Sequence, residues 1–125
     1  MTIEQLVTTA TDHQQETFNW GEIDWLDSHD FTGTDSLTVG KVTIYPGERN
    51  SEHFHPNCDE SLYVLSGELE HTIENESTKL LEGELIHIPR GKRHRASNTG
   101  TRDAVAIIVY DTGFREVEFV DGDSE

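Results

Sequence analysis

From residue 36 onward the chain is a succession of short runs, each closed by turn-forming residues. LTVGKVTIY ends at Pro46-Gly47, SEHFH at Pro56-Asn57, ESLYVL at Ser66-Gly67 and ELEHTIE at Asn75. LIHI ends at Pro89-Arg90-Gly91 and RHRAS at Asn98-Thr99-Gly100; DAVAIIVYD turns at Thr112-Gly113 into FREVEFV. Proline presets φ, and glycine or asparagine reaches the conformations that tight reversals need, so each break turns the chain back. Strands this short, at this spacing, bury their apolar faces by pairing as an antiparallel sandwich or barrel. The expectation is an all-β fold.

A length of 125 residues suits one domain around one core, and 33% apolar residues suffice for a small one. Thr2 with Gln5 reads as a capping box, and Ile3, Leu6, Val7 and Ala10 fall at helical spacing. This pattern predicts one short helix over 2–11, of a length that needs tertiary support. Residues 12–35 read as an extended lead-in, with Trp20, Ile23, Trp25 and Leu26 available to pack. The expected organisation is a helix and arm over 1–35, a barrel over 36–120 and a frayed acidic tail over 121–125.

Charge narrows the partners. Acidic residues number 25 against 9 basic ones, a formal net charge of -16, and such a field repels a phosphate backbone. Nucleic acid is therefore not an expected partner. The acidic excess is dispersed, and lysine is confined to Lys41, Lys79 and Lys92. That pattern fits a halophile, whose salty cytoplasm screens the self-repulsion. No apolar run is long enough to span a membrane, and the N-terminus lacks the basic start and apolar stretch of a signal peptide, so cytoplasm is the expected location. Cys58 stands alone, which rules out an internal disulfide or a thiolate metal cluster.

Chemistry concentrates in GERNSEHFHPNCDESLYVLSG, from residue 47. Residues two apart on a strand share a face, so His53 and His55 project together. Pro56-Asn57-Cys58-Asp59 then turns the chain, and Glu60 opens the returning strand. One hairpin thus offers two nitrogens and a carboxylate. GELIHIPRGKRHRASN is built alike, with His94 just past its turn. Facing the first hairpin across a barrel, it would supply a third nitrogen.

These residues resemble the cupin superfamily. Gly47, His53, His55, Glu60 and Gly67 fit G-x5-H-x-H-x4-E-x6-G, and Gly83, Pro89, Gly91, His94 and Asn98 fit G-x5-P-x-G-x2-H-x3-N. Glu84 departs from the aspartate more usual after the second segment's glycine. The likeness covers roughly residues 36–110. It implies a double-stranded β-helix, the cupin jelly-roll barrel, with one internal metal site. His53, His55, Glu60 and His94 are carried over as ligands. Three nitrogens and one oxygen without a thiolate suit one divalent Fe, Mn, Ni, Cu or Zn ion.

Other residues were weighed for the same site. Counting back by twos from His53 puts Arg49 on the interior face, where it would clamp a substrate carboxylate. His87 has Ile86 and Ile88 on the opposite face and either lines the cavity, as a substrate contact or proton relay, or is exposed. His71 shares a face with Leu69 and Ile73 and reads as a core residue, and Cys58 as a buried turn residue. Arg90, Lys92, Arg93 and Arg95 bracket His94 and would either attract an anion or pair with acidic neighbours. Two function classes stay open. One is a metal-dependent enzyme (dioxygenase, isomerase, decarboxylase or lyase) acting on a small, anionic, organic molecule, with Glu60 as ligand, base or both. The other is a non-catalytic ligand-binding or sensor cupin. Strand edges in an open sandwich, together with the resemblance, point to a homodimer with exchanged N-terminal arms.

Overall fold

The computed structural model describes residues 2–120. Eleven strands follow in order: β1 Gln14–Phe18, β2 Gly21–Asp27, β3 Thr38–Ile44, β4 His53–Phe54, β5 Glu60–Ser66, β6 Leu69–Ile73, β7 Glu76–Leu80, β8 Leu85–Ile88, β9 His94–Ser97, β10 Ala104–Tyr110 and β11 Glu118–Phe119. They form a six-stranded sheet ordered β1-β2-β3-β10-β5-β8 and a five-stranded sheet ordered β11-β4-β9-β6-β7. Every pairing is antiparallel. The two sheets face each other across one core, as expected for a jelly-roll barrel.

The centre of the larger sheet explains its sequence. β10 lies between β3 and β5, with Ala104, Ala106, Ile108 and Tyr110 buried. Its other face, Val105, Ile107 and Val109, is only half-exposed, so the strand reads as a continuous apolar run rather than an alternation. The two alanines leave room for Leu62, Val64, Leu69 and Ile44, all buried beside them in the core cluster.

The N-terminal third departs from the expected arm. Residues 14–27 form a hairpin whose second strand pairs with β3 along its length, so the barrel's own sheet begins at Gln14, not at residue 36. Trp20, Ile23 and Trp25 are buried and close one side of the core. The signal was hidden because β1 is an edge strand of polar, exposed residues with no alternation to read. This hairpin pairs with β3 of its own chain. The helix expected over 2–11 shrinks to a 3₁₀ turn at Ile3–Leu6, followed by a second short helix, α1, at His29–Thr32. Thr2 N–H does donate to Gln5 Oε1 at 2.7 Å, but Ile3 and Leu6 stay exposed, so the apolar stripe finds nothing to pack on. The tail expected at 121–125 lies outside the described residues.

Two motif residues have structural work. Gly67 sits at φ 77°, and a Cβ there would lie 2.6 Å from the Asp103 carbonyl oxygen, so only glycine fits this reversal. Asn98 is buried and its side chain knits three turns: Nδ2 donates to the Ile44 and Arg102 carbonyls at 2.8 Å, and Oδ1 accepts from Gly100 N–H at 2.9 Å. Asn98→Ala leaves those groups without partners. The expected outcome is a loss of roughly 3 kcal/mol of unfolding free energy in urea, with metal content unchanged, since each orphaned buried group costs about 1–3 kcal/mol.

Candidate metal centre

Both sheets contribute to one point inside the barrel. His53 on β4 and His94 on β9 are directly opposite each other in the smaller sheet. His55 follows β4, and Glu60 opens β5 in the larger sheet, paired to Tyr110 and Ile88. The two hairpins that carry them are tied together, for Gly91 N–H donates to the His55 carbonyl at 2.9 Å. All four side chains are buried. One nitrogen from each of His53, His55 and His94 lies within 4.8 Å of the others, a grouping that could hold a metal ion. His55 Nε2 and His94 Nε2 each stand 3.3 Å from Glu60 Oε1.

The backbone fixes which nitrogens face inward. His53 Nδ1 lies 2.7 Å from the Ser51 carbonyl, His55 Nδ1 2.8 Å from that of Glu116, and His94 Nδ1 2.9 Å from that of Lys92. A carbonyl oxygen only accepts, so each Nδ1 carries a proton, and the tautomer this selects leaves the lone pair on Nε2. Those lone pairs meet a carboxylate oxygen, which also only accepts. His55 Nε2, His94 Nε2 and Glu60 Oε1 are buried with no hydrogen bond of proper geometry among the described residues. Such a set is repulsive until a proton or a cation sits in its centre. Donors around an ion at about 2.1 Å stand roughly 3.0–3.4 Å apart, the spacing found here between Glu60 and its two histidines. The residues therefore fit a metal ion.

Electrostatics agrees. Burial, with His94 adding to it, pushes His53 down to about 3, so its ring is neutral and available as a ligand. Burial alone would raise Glu60, yet contact with His55 and His94 holds its carboxyl well below the usual range.

The family can now be decided. A family model described as the cupin domain matches residues 40–110, more than half of the chain. The chain belongs to the cupin family. Among curated relatives, Protein SchB of Streptomyces halstedii is 38% identical over 81 residues, 65% of this chain and 57% of its own. The tetracenomycin polyketide synthase protein TcmJ of Streptomyces glaucescens is 37% identical over 75 residues, 60% of this cupin and 50% of its own length. This chain thus spans about half the length of the curated relatives it matches. A recombinant oxalate oxidase in complex with glycolate superposes with a TM-score of 0.75 at 28% identity, over 84% of this cupin and 57% of that chain.

Two expected site residues are placed elsewhere. Arg49 is exposed, joined to the sheet only by an isolated bridge to Ser97. The count from His53 fails because β4 begins at His53 and the preceding segment is not a continuous strand. His87 is exposed and meets Asp59 at 3.4 Å on the outside, while Ile88 is buried beneath it. Of the basic cluster, Arg93 pairs with Glu74 at 3.3 Å on the surface. Cys58 is buried, and burial with the nearby Asp111 pushes its thiol up to about 11, which leaves it inert.

A cavity of ≈ 40 Å³ lies beside the cluster, lined by His53, Glu60 and His94 and by apolar side chains including Ile23, Val42 and Ile108. His71, read from the sequence as a core residue, also lines it, as do Tyr110 and Arg115, which had not stood out in the sequence. Tyr110 lies hidden at the end of an apolar run. Arg115 falls in a stretch expected to be strand, but the segment reduces to Glu118–Phe119. The residues before it instead wrap the metal loop: Asn57 Nδ2 donates to the Phe114 carbonyl at 2.8 Å, and Glu116 N–H donates to Asn57 Oδ1 at 3.1 Å. Arg115 then stands over the rings of Trp25 and Tyr110, at 4.8 and 5.1 Å from their centroids.

A pH dependence follows for the metal-free chain. Burial, with His94, also pushes His71 down to about 4, so His53 and His71 both ionise in the fold well below the ordinary 6.5. The unfolded chain takes up more protons as pH falls below 6.5, so stability present above that value is lost progressively toward pH 3–4. Glu60, held low in the fold, loses its contribution in the same direction at still lower pH. Urea midpoints measured from neutral to acid pH should fall accordingly, and His53→Ala should flatten the decline.

Proposed function

We propose that His53, His55, Glu60 and His94 hold one divalent first-row transition-metal ion, and that the protein is an enzyme acting on a small, oxygen-bearing organic molecule in the adjoining cavity. The observation that supports this most is the tautomer set: three clustered rings anchored through Nδ1, with the Nε2 of His55 and of His94 each 3.3 Å from a Glu60 carboxylate oxygen. Oxygen and nitrogen donors without sulfur suit Fe, Mn, Ni, Cu or Zn. Bound there, such an ion would supply Lewis acidity toward a substrate oxygen, with redox chemistry added if it is iron, manganese or copper.

The chain's own residues do the rest. Carbonyls of Ser51, Glu116 and Lys92 hold the ligand rings in orientation before any ion arrives. On this reading Glu60 is a ligand rather than the general base, because a carboxyl held well below its usual range is a weak proton acceptor. Apolar walls and Tyr110, whose hydroxyl is pushed up by burial and by Glu60, keep the site dry. A donor set that opens onto a cavity favours an enzyme over a passive binder, as do a structural neighbour named as an oxalate oxidase and a relative named as a polyketide synthase protein. The reading includes a homodimer, supported by exposed Tyr63, Leu65 and Leu85 on one outer face, where Tyr63 and Leu85 are paired.

Elemental analysis tests this reading. Protein expressed in metal-supplemented medium should carry close to one ion per chain. His94→Ala should hold less than about a tenth of that, and chelation should lower the wild-type Tm while leaving the variant's unchanged. Equal Tm values with and without chelator, for a wild type lacking metal, would contradict it.

A further inference from the structure

His71 lines the cavity together with His53 and His94, and it differs from the three metal-centre histidines in one respect. It is 1% exposed, yet its Nδ1 has no hydrogen-bond partner among the described residues, whereas every metal-centre histidine has its Nδ1 anchored to a carbonyl. It stands outside the group whose nitrogens converge. Its ring lies nearly parallel to that of His94, with centroids 5.8 Å apart and planes inclined by 15°. It faces the cavity from β6, between Leu69 and Ile73, where an aliphatic residue would pack without leaving a polar atom orphaned. His71 also borders a surface groove formed with Ile73, Ile86, Pro89 and Lys92.

An orphaned buried nitrogen is retained at a cost, and a molecule in the cavity removes that cost. With no carbonyl fixing its tautomer, His71 can either donate to or accept from an oxygen on that molecule. Arg115 brings a positive charge to the same lining, which favours an acid. A space of ≈ 40 Å³ admits only a few heavy atoms beyond a metal ligand. We propose that His71 is a substrate-binding residue, hydrogen-bonding the second oxygen function of a short 2-hydroxy or 2-oxo acid whose carboxylate is drawn in by the metal centre and Arg115. This assignment rests on the metal reading above for the carboxylate but not for the contact made by His71.

The experiment is calorimetric titration of glycolate and of acetate, which lacks the 2-oxygen, into wild type and His71→Leu, each metal-free and zinc-loaded, after metal content has been measured. Wild type should bind glycolate at least tenfold more tightly than acetate. His71→Leu should bind the two acids alike, keep its zinc, and melt at a higher temperature because the orphaned nitrogen is gone; His71→Gln should recover part of the preference. Equal preference in wild type and His71→Leu, no binding of either acid by wild type, or loss of zinc from His71→Leu would each overturn the proposal. Wild type that takes up no zinc but still prefers glycolate through His71 would sink the metal reading and leave this one standing.

Discussion

Three hydrogen bonds from imidazole Nδ1–H to backbone carbonyls govern everything that this protein's interior can do. They are made by His53, His55 and His94 to Ser51, Glu116 and Lys92, and each fixes a proton on the outer nitrogen and a lone pair on the inner one. Turning three lone pairs and the Glu60 carboxylate inward, in a space with little water, is unfavourable by itself. A fold with no use for a cation would gain stability by replacing any of these groups with an aliphatic side chain. Their coexistence is a stored electrostatic demand, and a positive charge at their centre satisfies it.

The barrel is arranged to keep that demand in place. The candidate ligands come from both sheets, and the segment after β10 folds back to provide one of the anchoring carbonyls through Glu116. Asn57 clamps that segment, and Gly91 binds the second metal loop to the His55 carbonyl. The anchors lie on loops whose course is fixed by turn residues, so the rigidity of the site derives from turn chemistry as much as from strands. The N-terminal hairpin contributes by seating Trp20, Ile23 and Trp25 in the core, where Trp20 and Ile23 also line the cavity.

Much of this was legible because spacing and turn residues are local properties. His-x-His on a strand, a turn, and Glu60 on the return specify a shared face without knowledge of the rest of the chain. Gly67 and Asn98 could be recognised by position, although their reasons, a left-handed φ and a triple knot of turn hydrogen bonds, needed coordinates. The misses have a common cause in long-range context. Arg49 was placed inside by extending alternation through a segment that is not a strand, and His87 faces out because Ile86 and Ile88 take the inner side of β8. β7, polar and mostly exposed, carried no apolar signal to mark it. Arg115 reaches the cavity only because a run that looked like strand is held as a loop by Asn57. His71 was rightly read as buried; that its nitrogen has no partner is a fact about its neighbours, which no pattern along one strand contains.

The ring tautomers are the most direct point of attack. Long-range proton–nitrogen NMR of the metal-free protein, followed through a zinc titration, reports each imidazole nitrogen separately. The expected result is Nδ1 protonated in His53, His55 and His94 throughout, with the three Nε2 resonances shifting together and saturating at one zinc per chain. Nδ1 found unprotonated in any two of these rings, or Nε2 shifts that saturate independently of one another, would contradict the account.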